Sequence, residues 1–463
     1  MTAVKTAAVA IFALLALAVA GGCSADPPEE GESDDAVVLT QSVDAPIVVP
    51  AVGTTLVELS QPTLVQSLEA RGLGFGVHFG ERGTPNNDSL ASRSPFYRFI
   101  ADDLSADLDA QRARDPRLKT QVANGVTRIL DKGWMRASYA RFELTGVMNR
   151  LDRLAQSGPN SCGEVRFLYR LSYRHAKQDP ADVSYSRLPV VFNVVYDVPR
   201  QGRGLEECAR AATAWQVPAT VKDETTYLDW LTREVAAPER LRLKQIELDA
   251  QVLRVPSESK VDLAGVAEYA FRVYALEGGV PTLRPLENQV DVERIAADPA
   301  LKTELAMFLR SHVREVDLGT VLIPEKFLAK KVSAFSTFGS ARAANKPFTR
   351  LFWDATNKRA PALGEDVLGP SSTQYVSSVA GFIARLDDLT CTGCHQGGRG
   401  VAGFHFLGED SLAQSHLLNV ARIGKSPHLL TDLERRRTFV ATLARGAEPS
   451  PFRPVSFLSL IHI

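Results

Sequence analysis

The chain has 463 residues, of which 45% are apolar and 23% charged, with 53 basic and 54 acidic side chains. This composition is typical of globular proteins, and the length allows two or three domains with a sizeable core. A formal net charge of −1 excludes a chain-wide basic surface for nucleic acid. No apolar run is long enough for a membrane-spanning helix, so we expect a soluble body, held at a membrane only by an anchor.

The N-terminus has the three parts of an export signal. Lys5 precedes fourteen apolar residues, Ala7 to Ala20, and the small pair Gly21-Gly22 precedes Cys23. The segment resembles a bacterial lipoprotein signal, although Ala20 stands where leucine is usual. The resemblance implies a signal over residues 1–23 and lipidation of Cys23, hence a membrane contact through a lipid anchor. An ordinary secretory signal cut near Ala20 is the alternative, and both export the body.

Residues 24–54 are predicted to form a disordered acidic tether. No Lys or Arg occurs between Ser24 and Ala70. Six acidic residues crowd the first twelve positions, namely Asp26, Glu29, Glu30, Glu32, Asp34 and Asp35. Like charges extend such a chain and leave it little to bury. Ser24, directly after the anchor cysteine, favours the outer membrane if enteric sorting rules apply.

Residues 55–345 are predicted to form an α+β body with an antiparallel sheet and flanking helices. Apolar residues alternate with mostly polar ones in four stretches, which is the strand pattern. The alternating residues are Val165 to Tyr173, Val190 to Val198, Ile246 to Val252 and Tyr269 to Ala275, with Phe142 and Leu144 upstream. Cys162 and Cys208 flank the first two strands and are predicted to form a structural disulfide, worth about 4 kcal/mol for a loop of this size.

Helices are predicted around this sheet, over residues 96–130, over residues 204–235 and from Asp298-Pro299 onward. Aspartate followed by proline is a cap and first-turn pair. In the last helix, apolar residues recur at helical spacing as far as His312. A lone histidine on such a face is more often a packed, hydrogen-bonded residue than a metal ligand.

A charged group in the body is open to two interpretations. Residues 146–152 and 161–166 resemble a phrase found in uncharacterised exported bacterial proteins, which implies no activity. Their polar side chains either line a cleft at the strand ends or form an ion-pair cluster beside the disulfide, and the second interpretation is favoured. The side chains concerned are Asn149, Arg150, Asp152, Glu164 and Arg166.

The motif with the clearest chemistry is Cys-Thr-Gly-Cys-His at residues 391–395. At this composition it arises by chance in roughly one sequence in a thousand. Two thiols three positions apart on a turn can each form a thioether with one vinyl group of a haem, while the adjoining imidazole points to the iron.

The motif resembles that of c-type cytochromes, and the resemblance covers the pentapeptide and its immediate setting. It implies one covalent haem c, attached through Cys391 and Cys394, with His395 as the proximal iron ligand. Export agrees with this, because bacteria attach such haems outside the inner membrane. Residues 346–457 are therefore expected to form a small, mainly helical haem segment.

The second axial ligand is left open by the sequence. The four methionines, Met1, Met135, Met148 and Met307, all precede the motif, so the usual distal methionine is missing. Bis-histidine ligation or an open position is implied, and a bis-histidine iron should be the more reducing kind. His405, among aromatic residues and glycines, is the first candidate, followed by His428 and His416. Residues 458–463 resemble the translation of a sequencing adaptor rather than a part of the protein, so His462 is not expected to be a ligand.

Three functions remain after other motifs are excluded. The sequence contains no phosphate-binding loop, nucleophile elbow, zinc-protease motif or dinucleotide fingerprint. The favoured function is that of an exported, lipid-anchored mono-haem protein that passes electrons to a redox partner protein or presents haem, rather than that of a catalyst. The alternatives are a haem with an open iron site, acting as a peroxidase or sensor, and a structural zinc at residues 391–395. A simple disulfide between Cys391 and Cys394 is the remaining possibility.

Overall fold

The computed structural model describes most of the body and part of the C-terminal region. The described residues are 46–115, 118, 128–173, 184–185, 190–200, 202, 204–255, 266–335, 341–364, 366–369, 373–396 and 427–453. The predictions for Cys23, the tether up to residue 45, His405, His416 and the adaptor-like residues lie outside these ranges. For His395 and His428 the backbone alone is described.

The centre of the molecule is one antiparallel sheet in the order β1-β3-β4-β6-β7-β8-β10, with β5 beside β4, β2 beside β7 and β9 beside β8. The predicted α+β class with an antiparallel sheet is confirmed, and each predicted strand is present. The strands are β1 (Glu58–Leu59), β2 (Arg128–Ile129), β3 (Ala140–Arg150), β4 (Ser161–Tyr173), β5 (Ser184–Tyr185), β6 (Val190–Pro199), β7 (Arg242–Val255), β8 (Val266–Glu277), β9 (Val280–Arg284) and β10 (Lys331–Phe335).

Helices lie before, between and after the strands. They are α1 (Pro62–Leu68), α2 (Asn87–Arg93), α3 (Pro95–Arg114), α4 (Leu205–Ala214), α5 (Glu224–Trp230), α6 (Val292–Ala297), α7 (Pro299–Ser311), α8 (Val313–Leu318), α9 (Ala341–Ala344), α10 (Pro347–Phe352), α11 (Val379–Asp388), α12 (Cys391–Gln396) and α13 (Pro427–Ala444). Shorter 3₁₀ and π turns include Phe75–Phe79, Leu151–Gln156 and Leu231–Val235. In the ranges given above, no helix combines the length and the apolarity needed to cross a membrane.

Two helix predictions need correction in their bounds. The helix predicted over residues 96–130 ends at Arg114, and Arg128–Ile129 pairs with β7 as a strand. The helix predicted over 204–235 is two helices, because α4 ends at Ala214 and Asp223 caps a new one. The cap at Asp298 is confirmed, since its carboxylate accepts hydrogen bonds from the backbone N–H groups of Ala300 and Leu301 at 3.0 Å.

The predicted disulfide is present. Cys162, at the start of β4, is bonded to Cys208 in α4, and both residues are fully buried. His312 ends α7, where its ring stacks on Phe308 with centroids 4.0 Å apart. Its Nδ1 also lies 2.8 Å from the Phe308 carbonyl oxygen, so His312 is a packed, hydrogen-bonded residue as predicted.

The two faces of the sheet differ in chemistry. Successive side chains of a strand point to opposite faces. On the first face, residues such as Phe167, Phe192 and Leu248 pack into the main hydrophobic core. On the second face, buried residues such as Arg166 and Asn193 are polar or charged. This second face therefore has its charged groups covered rather than exposed to solvent.

A second hydrophobic core lies beside the sheet. It is built from residues between Val290 and Leu386, and so takes side chains from both sides of the predicted boundary at residues 345 and 346. Helix α13 belongs to the predicted haem segment but packs against the predicted body, because Phe439 and Leu443 belong to the main core. Packing is thus continuous between the predicted body and the predicted haem segment.

Candidate functional site

The motif residues lie at a junction between two helices. Helix α11 ends at Asp388, and α12 begins at Cys391. The backbone N–H of Cys394 donates to the carbonyl oxygen of Thr390 at 2.9 Å, which closes the first turn of α12. Cys391 and Cys394 therefore occupy one helical turn, and His395 is the next residue of the same helix.

Hydrogen bonds fix this turn to the rest of the protein. The backbone N–H of Thr392 donates to Gln289 Oε1 at 3.0 Å, and Thr392 Oγ1 lies 3.1 Å from both Gln289 Oε1 and the carbonyl oxygen of Asn345. The Thr390 hydroxyl donates to the Asp387 carbonyl oxygen at 2.6 Å and accepts from the Gly393 N–H at 3.0 Å. The two motif positions between the cysteines are thus structural anchors.

Gly393 is required by close packing. A Cβ at this position would lie 1.9 Å from the carbonyl oxygen of Asp387, far inside van der Waals contact. The preceding helix therefore approaches the motif so closely that only glycine fits. Asp387 is itself buried, and its carboxylate accepts a hydrogen bond from the Phe348 N–H at 2.7 Å, which ties α10 to the same junction.

Both motif cysteines are free thiols. Cys391 packs on a small apolar cluster of the second sheet face that includes Tyr269, Phe271 and Val273. Burial raises the pKa of both thiols, and for Cys391 the nearby charges of Glu247 and Glu287 add to the effect. The two groups therefore stay protonated at neutral pH, which disfavours a role as a thiolate nucleophile.

A buried network of ion pairs lies beside Cys394. In its first branch, Arg150 binds Asp152 at 2.8 Å, Asp152 binds Arg435 at 2.6 Å, and Asp432 binds both Arg435 and Arg436 at 2.6 Å. Its second branch centres on Glu164, which contacts Arg153 at 3.0 Å, Arg166 at 2.7 Å and Lys244 at 2.7 Å.

The network extends the charged group seen in the sequence. The ion-pair interpretation is correct for Arg150, Asp152, Glu164 and Arg166. Asn149 is separate, because its amide donates to the Leu56 carbonyl oxygen and accepts from the Leu151 N–H. No cleft is needed to account for these five residues.

The sequence did not predict several members of the network. Arg435 and Arg436 lie in a run of charges, Glu434 to Arg437, that is usually a solvated face. In α13 this run is divided, since Arg436 is buried and Arg437 is exposed. The helical spacing of Asp432, Arg435 and Arg436 is the signal that could have placed them together, because residues three and four apart share a helix face.

The histidine predictions are not decided by the described residues. His395 belongs to α12 and His428 to the start of α13, with the backbone alone described. His405 and His416 lie outside the described ranges. Among the side chains that the structure describes, no group of three His, Cys, Asp or Glu residues has the geometry of a metal site.

Comparisons with protein-family models, with curated proteins and with solved structures found no match for this chain.

Proposed function

We propose that the protein is an exported, lipid-anchored, c-type cytochrome-like protein that carries one covalent haem and passes electrons to a redox partner protein or presents the haem to it. The observation that carries the proposal is the state of the four described cysteines. Cys162 and Cys208 are bonded to each other, whereas Cys391 and Cys394 remain free on a single anchored helical turn. The disulfide between Cys162 and Cys208 supports an oxidising compartment. Two neighbouring cysteines that stay unbonded in such a compartment are expected to have a specific role.

The residues around the two thiols suit a haem in chemistry. A haem is a flat apolar ring with carboxylates on one edge. The Cys391 side of the turn offers an apolar wall that includes Phe271 and Val273. The Cys394 side is charged, because Arg453 and Arg150 act on its thiol electrostatically together with Asp388 and Asp432. The apolar wall suits the ring of a haem, and the two arginines suit its carboxylates.

Attachment would use both thiols in their protonated form. Each thiol adds its sulfur to one carbon of a vinyl group and its hydrogen to the other, so a thioether forms with no oxidant or reductant consumed. The raised pKa of both thiols leaves this hydrogen in place at neutral pH. The anchored turn of α12 keeps the two sulfur atoms one turn apart throughout.

His395 would be the proximal iron ligand, with His405 as the favoured distal ligand and His428 or His416 as alternatives. When bound, the haem supplies one-electron chemistry at its iron. The protein's own part would be to hold the group through Cys391 and Cys394 of α12 and to set its electrostatic surroundings. Lipidation of Cys23 would keep the protein on the periplasmic side of a bacterial membrane or at the cell surface, with the outer membrane favoured.

The decisive experiment is expression of the full chain together with haem-attachment machinery. Purified protein is expected to gain the mass of one haem and to keep its visible absorption after acid-acetone extraction. The double variant Cys391→Ala/Cys394→Ala should lose both signals, while the matched variant Cys23→Ser should keep the haem and lose the lipid.

A colourless exported protein with the mass of the bare chain would refute the haem. One bound zinc per chain would then favour a structural metal site. If the haem is present, a spectral change on adding carbon monoxide to the reduced protein would favour an open iron site over bis-histidine ligation.

A further inference from the structure

The first turn of α12 is held by a local and by a distant hydrogen-bond acceptor. The first N–H groups of a helix have no partner inside the helix and need acceptors from outside it. Thr390, directly before the helix, supplies the local one, because its hydroxyl oxygen accepts from the Gly393 N–H at 3.0 Å. Gln289 supplies the distant one, because its Oε1 accepts from the Thr392 N–H at 3.0 Å.

The two acceptors have different consequences for the motif. Thr390 belongs to the same segment as the motif, so its bond fixes the shape of the turn but not the place of the turn in the protein. Gln289 lies 103 positions away in sequence, so its bond fixes where the turn lies and how it is rotated about its axis. The same Oε1 lies 3.1 Å from the Thr392 hydroxyl oxygen, so backbone and side chain of one residue meet one acceptor.

The acceptor itself sits on a fixed support. Gln289 is 2% exposed. Its backbone N–H donates to the Leu286 carbonyl oxygen at 3.2 Å, and its own carbonyl oxygen accepts from the Ala329 N–H at 2.8 Å. The Leu286 N–H donates in turn to the Ala329 carbonyl oxygen at 2.9 Å. The position of Gln289 is therefore set by bonds that do not involve the motif.

The same segment also contacts the first motif cysteine. Cys391 packs on the apolar cluster of the second sheet face, to which Leu286 and Phe271 belong. Its Sγ lies 3.9 Å from the Glu287 carbonyl oxygen. Adjacent residues of the motif, Cys391 and Thr392, thus lie against one short stretch of chain, and Gln289 makes the closest of these contacts.

The placement of the turn bears on the joining of one haem to two thiols. Once the first thioether has formed, the second addition is intramolecular. Its rate then depends on how often the second sulfur lies within reach of the remaining vinyl group, which is a matter of orientation. A turn that is free to rotate or slide would bring that sulfur into reach less often.

We propose that Gln289 is a positioning residue for haem attachment, which holds α12 so that Cys391 and Cys394 are both joined to the same haem. The inference rests on the proposed function and adds a requirement to it. Gln289 acts through Thr392, and its loss should change the number of thioethers per haem rather than only the amount of folded protein.

Three variants separate this role from general destabilisation. Gln289→Leu removes the acceptor and keeps a side chain of similar size, whereas Gln289→Glu keeps an oxygen and is the conservative variant. Asn288→Gly is the matched control. Asn288 is 3% exposed, and its side chain bonds the Val321 carbonyl oxygen at 3.0 Å and the Ile323 N–H at 2.9 Å rather than the motif. Its φ of 57° suits glycine, so this variant loses two buried hydrogen bonds without backbone strain.

The first test counts thioethers in haem-loaded protein. Each full-length variant is expressed with haem-attachment machinery, unfolded and alkylated with iodoacetamide, and the labelled peptides are identified by mass spectrometry. A chain joined through both cysteines gains no label in the motif, and a chain joined through one gains a single label. Gln289→Leu should raise the singly joined fraction by about tenfold or more, while Gln289→Glu and Asn288→Gly should keep the wild-type fraction. The pyridine haemochrome spectrum, which responds to the number of intact vinyl groups, is the independent readout.

Equal singly joined fractions in wild type and Gln289→Leu would overturn the inference and leave the proposed function standing. An equal rise in Asn288→Gly would also overturn it, since destabilisation alone would then be the cause. If Gln289→Leu does not fold, Gln289→Asn, whose amide is one methylene shorter, takes its place with the same expectation.

The second test needs no haem. In the folded full chain without haem, the rate at which iodoacetamide labels Cys391 should rise by about tenfold or more in Gln289→Leu and stay unchanged in Asn288→Gly. An unaltered rate in Gln289→Leu would contradict the positioning role. If wild type gains no haem while the rates differ as expected, attachment is refuted, and Gln289 still stands as the residue that places the motif.

Discussion

His78 is buried in a fully satisfied hydrogen-bond network on the first face of the sheet. Its Nε2 lies 2.7 Å from the Tyr169 hydroxyl, and its Nδ1 lies 2.8 Å from the Tyr196 hydroxyl. Tyr169 donates its own hydrogen to the Leu73 carbonyl oxygen, so it must accept from His78 Nε2–H. Nδ1 then accepts from the Tyr196 hydroxyl. Both ring nitrogens are therefore engaged, and a second proton on the ring would break the hydrogen bond to Tyr196.

This network predicts a stability that falls in acid. Burial lowers the pKa of His78 from 6.5 to about 3. Between these two values the unfolded chain binds a proton that the folded protein does not, so the free energy of unfolding should fall by about 1.4 kcal/mol per pH unit as the pH decreases from 6.5 towards 3. Above pH 6.5 this residue should have no effect. Urea unfolding at several pH values, compared between wild type and His78→Gln, measures the contribution.

The matched control for this prediction is Tyr196→Phe. It removes one hydrogen bond but keeps the titrating ring, so it should lower stability by about 1 kcal/mol at neutral pH and keep the wild-type slope. His78→Gln should instead have a shallower slope. The same slope in His78→Gln and wild type would show that another group causes the acid sensitivity.

At the scale of the elements, the strands were predictable because the apolar side chains of one sheet face are buried and alternate with polar residues along each strand. Residues such as Phe167 and Val194 alternate with polar residues, and they are buried in the main core. The chemistry of the second face was not predictable in the same way. Alternation suggests that Arg166 and Glu247 face solvent, but other elements cover this face and bury Arg166 in ion pairs. No local sequence pattern predicts that a second face will be covered.

The motif can be found in the sequence, but its structural setting cannot. Spacing alone singles out Cys391, Cys394 and His395, and their role as a haem site stays a prediction. The contacts that hold the turn come from Gln289 and Asn345, which are distant in sequence and have no motif of their own. Likewise, Arg453 joins the site only through tertiary structure.

The junction of α11 and α12 gives a prediction about Gly393. A methyl group there would collide with the Asp387 carbonyl oxygen, so Gly393→Ala should lower the free energy of unfolding by about 1–3 kcal/mol. Under the proposed function it should also lower the yield of covalent haem, because α12 must move away from Gln289. Denaturant unfolding and haem staining measure the two effects.

Gly202→Ala is the matched control for this change. A Cβ at that position would find its nearest neighbour at 3.8 Å, an ordinary contact. It should therefore keep wild-type stability and haem yield. Equal behaviour of the two variants would mean that the α11–α12 contact does not constrain the motif.

At the scale of the whole molecule, helix α13 joins the two predicted segments. Near its start, Leu429 packs with Met148 and Leu168 on the second sheet face. Near its end, Phe439 and Leu443 enter the main core. The sequence placed this helix in a separate haem segment, because helical periodicity reports an apolar stripe but not which core receives it.

This packing predicts that residues 1–345 do not form a stable protein on their own. Without α13 the main core loses three buried apolar side chains, Phe439, Val440 and Leu443, each worth about 1.5–3 kcal/mol. That sum is comparable with the whole stability of a typical domain. The fragment should be digested rapidly by protease under conditions that leave the full chain intact. In the full chain, Leu443→Asp should reproduce this sensitivity, whereas Leu430→Asp, on the exposed side of the same helix, should not. A fragment as resistant as the full chain would show instead that the body ends where the sequence suggested and that α13 only rests on it.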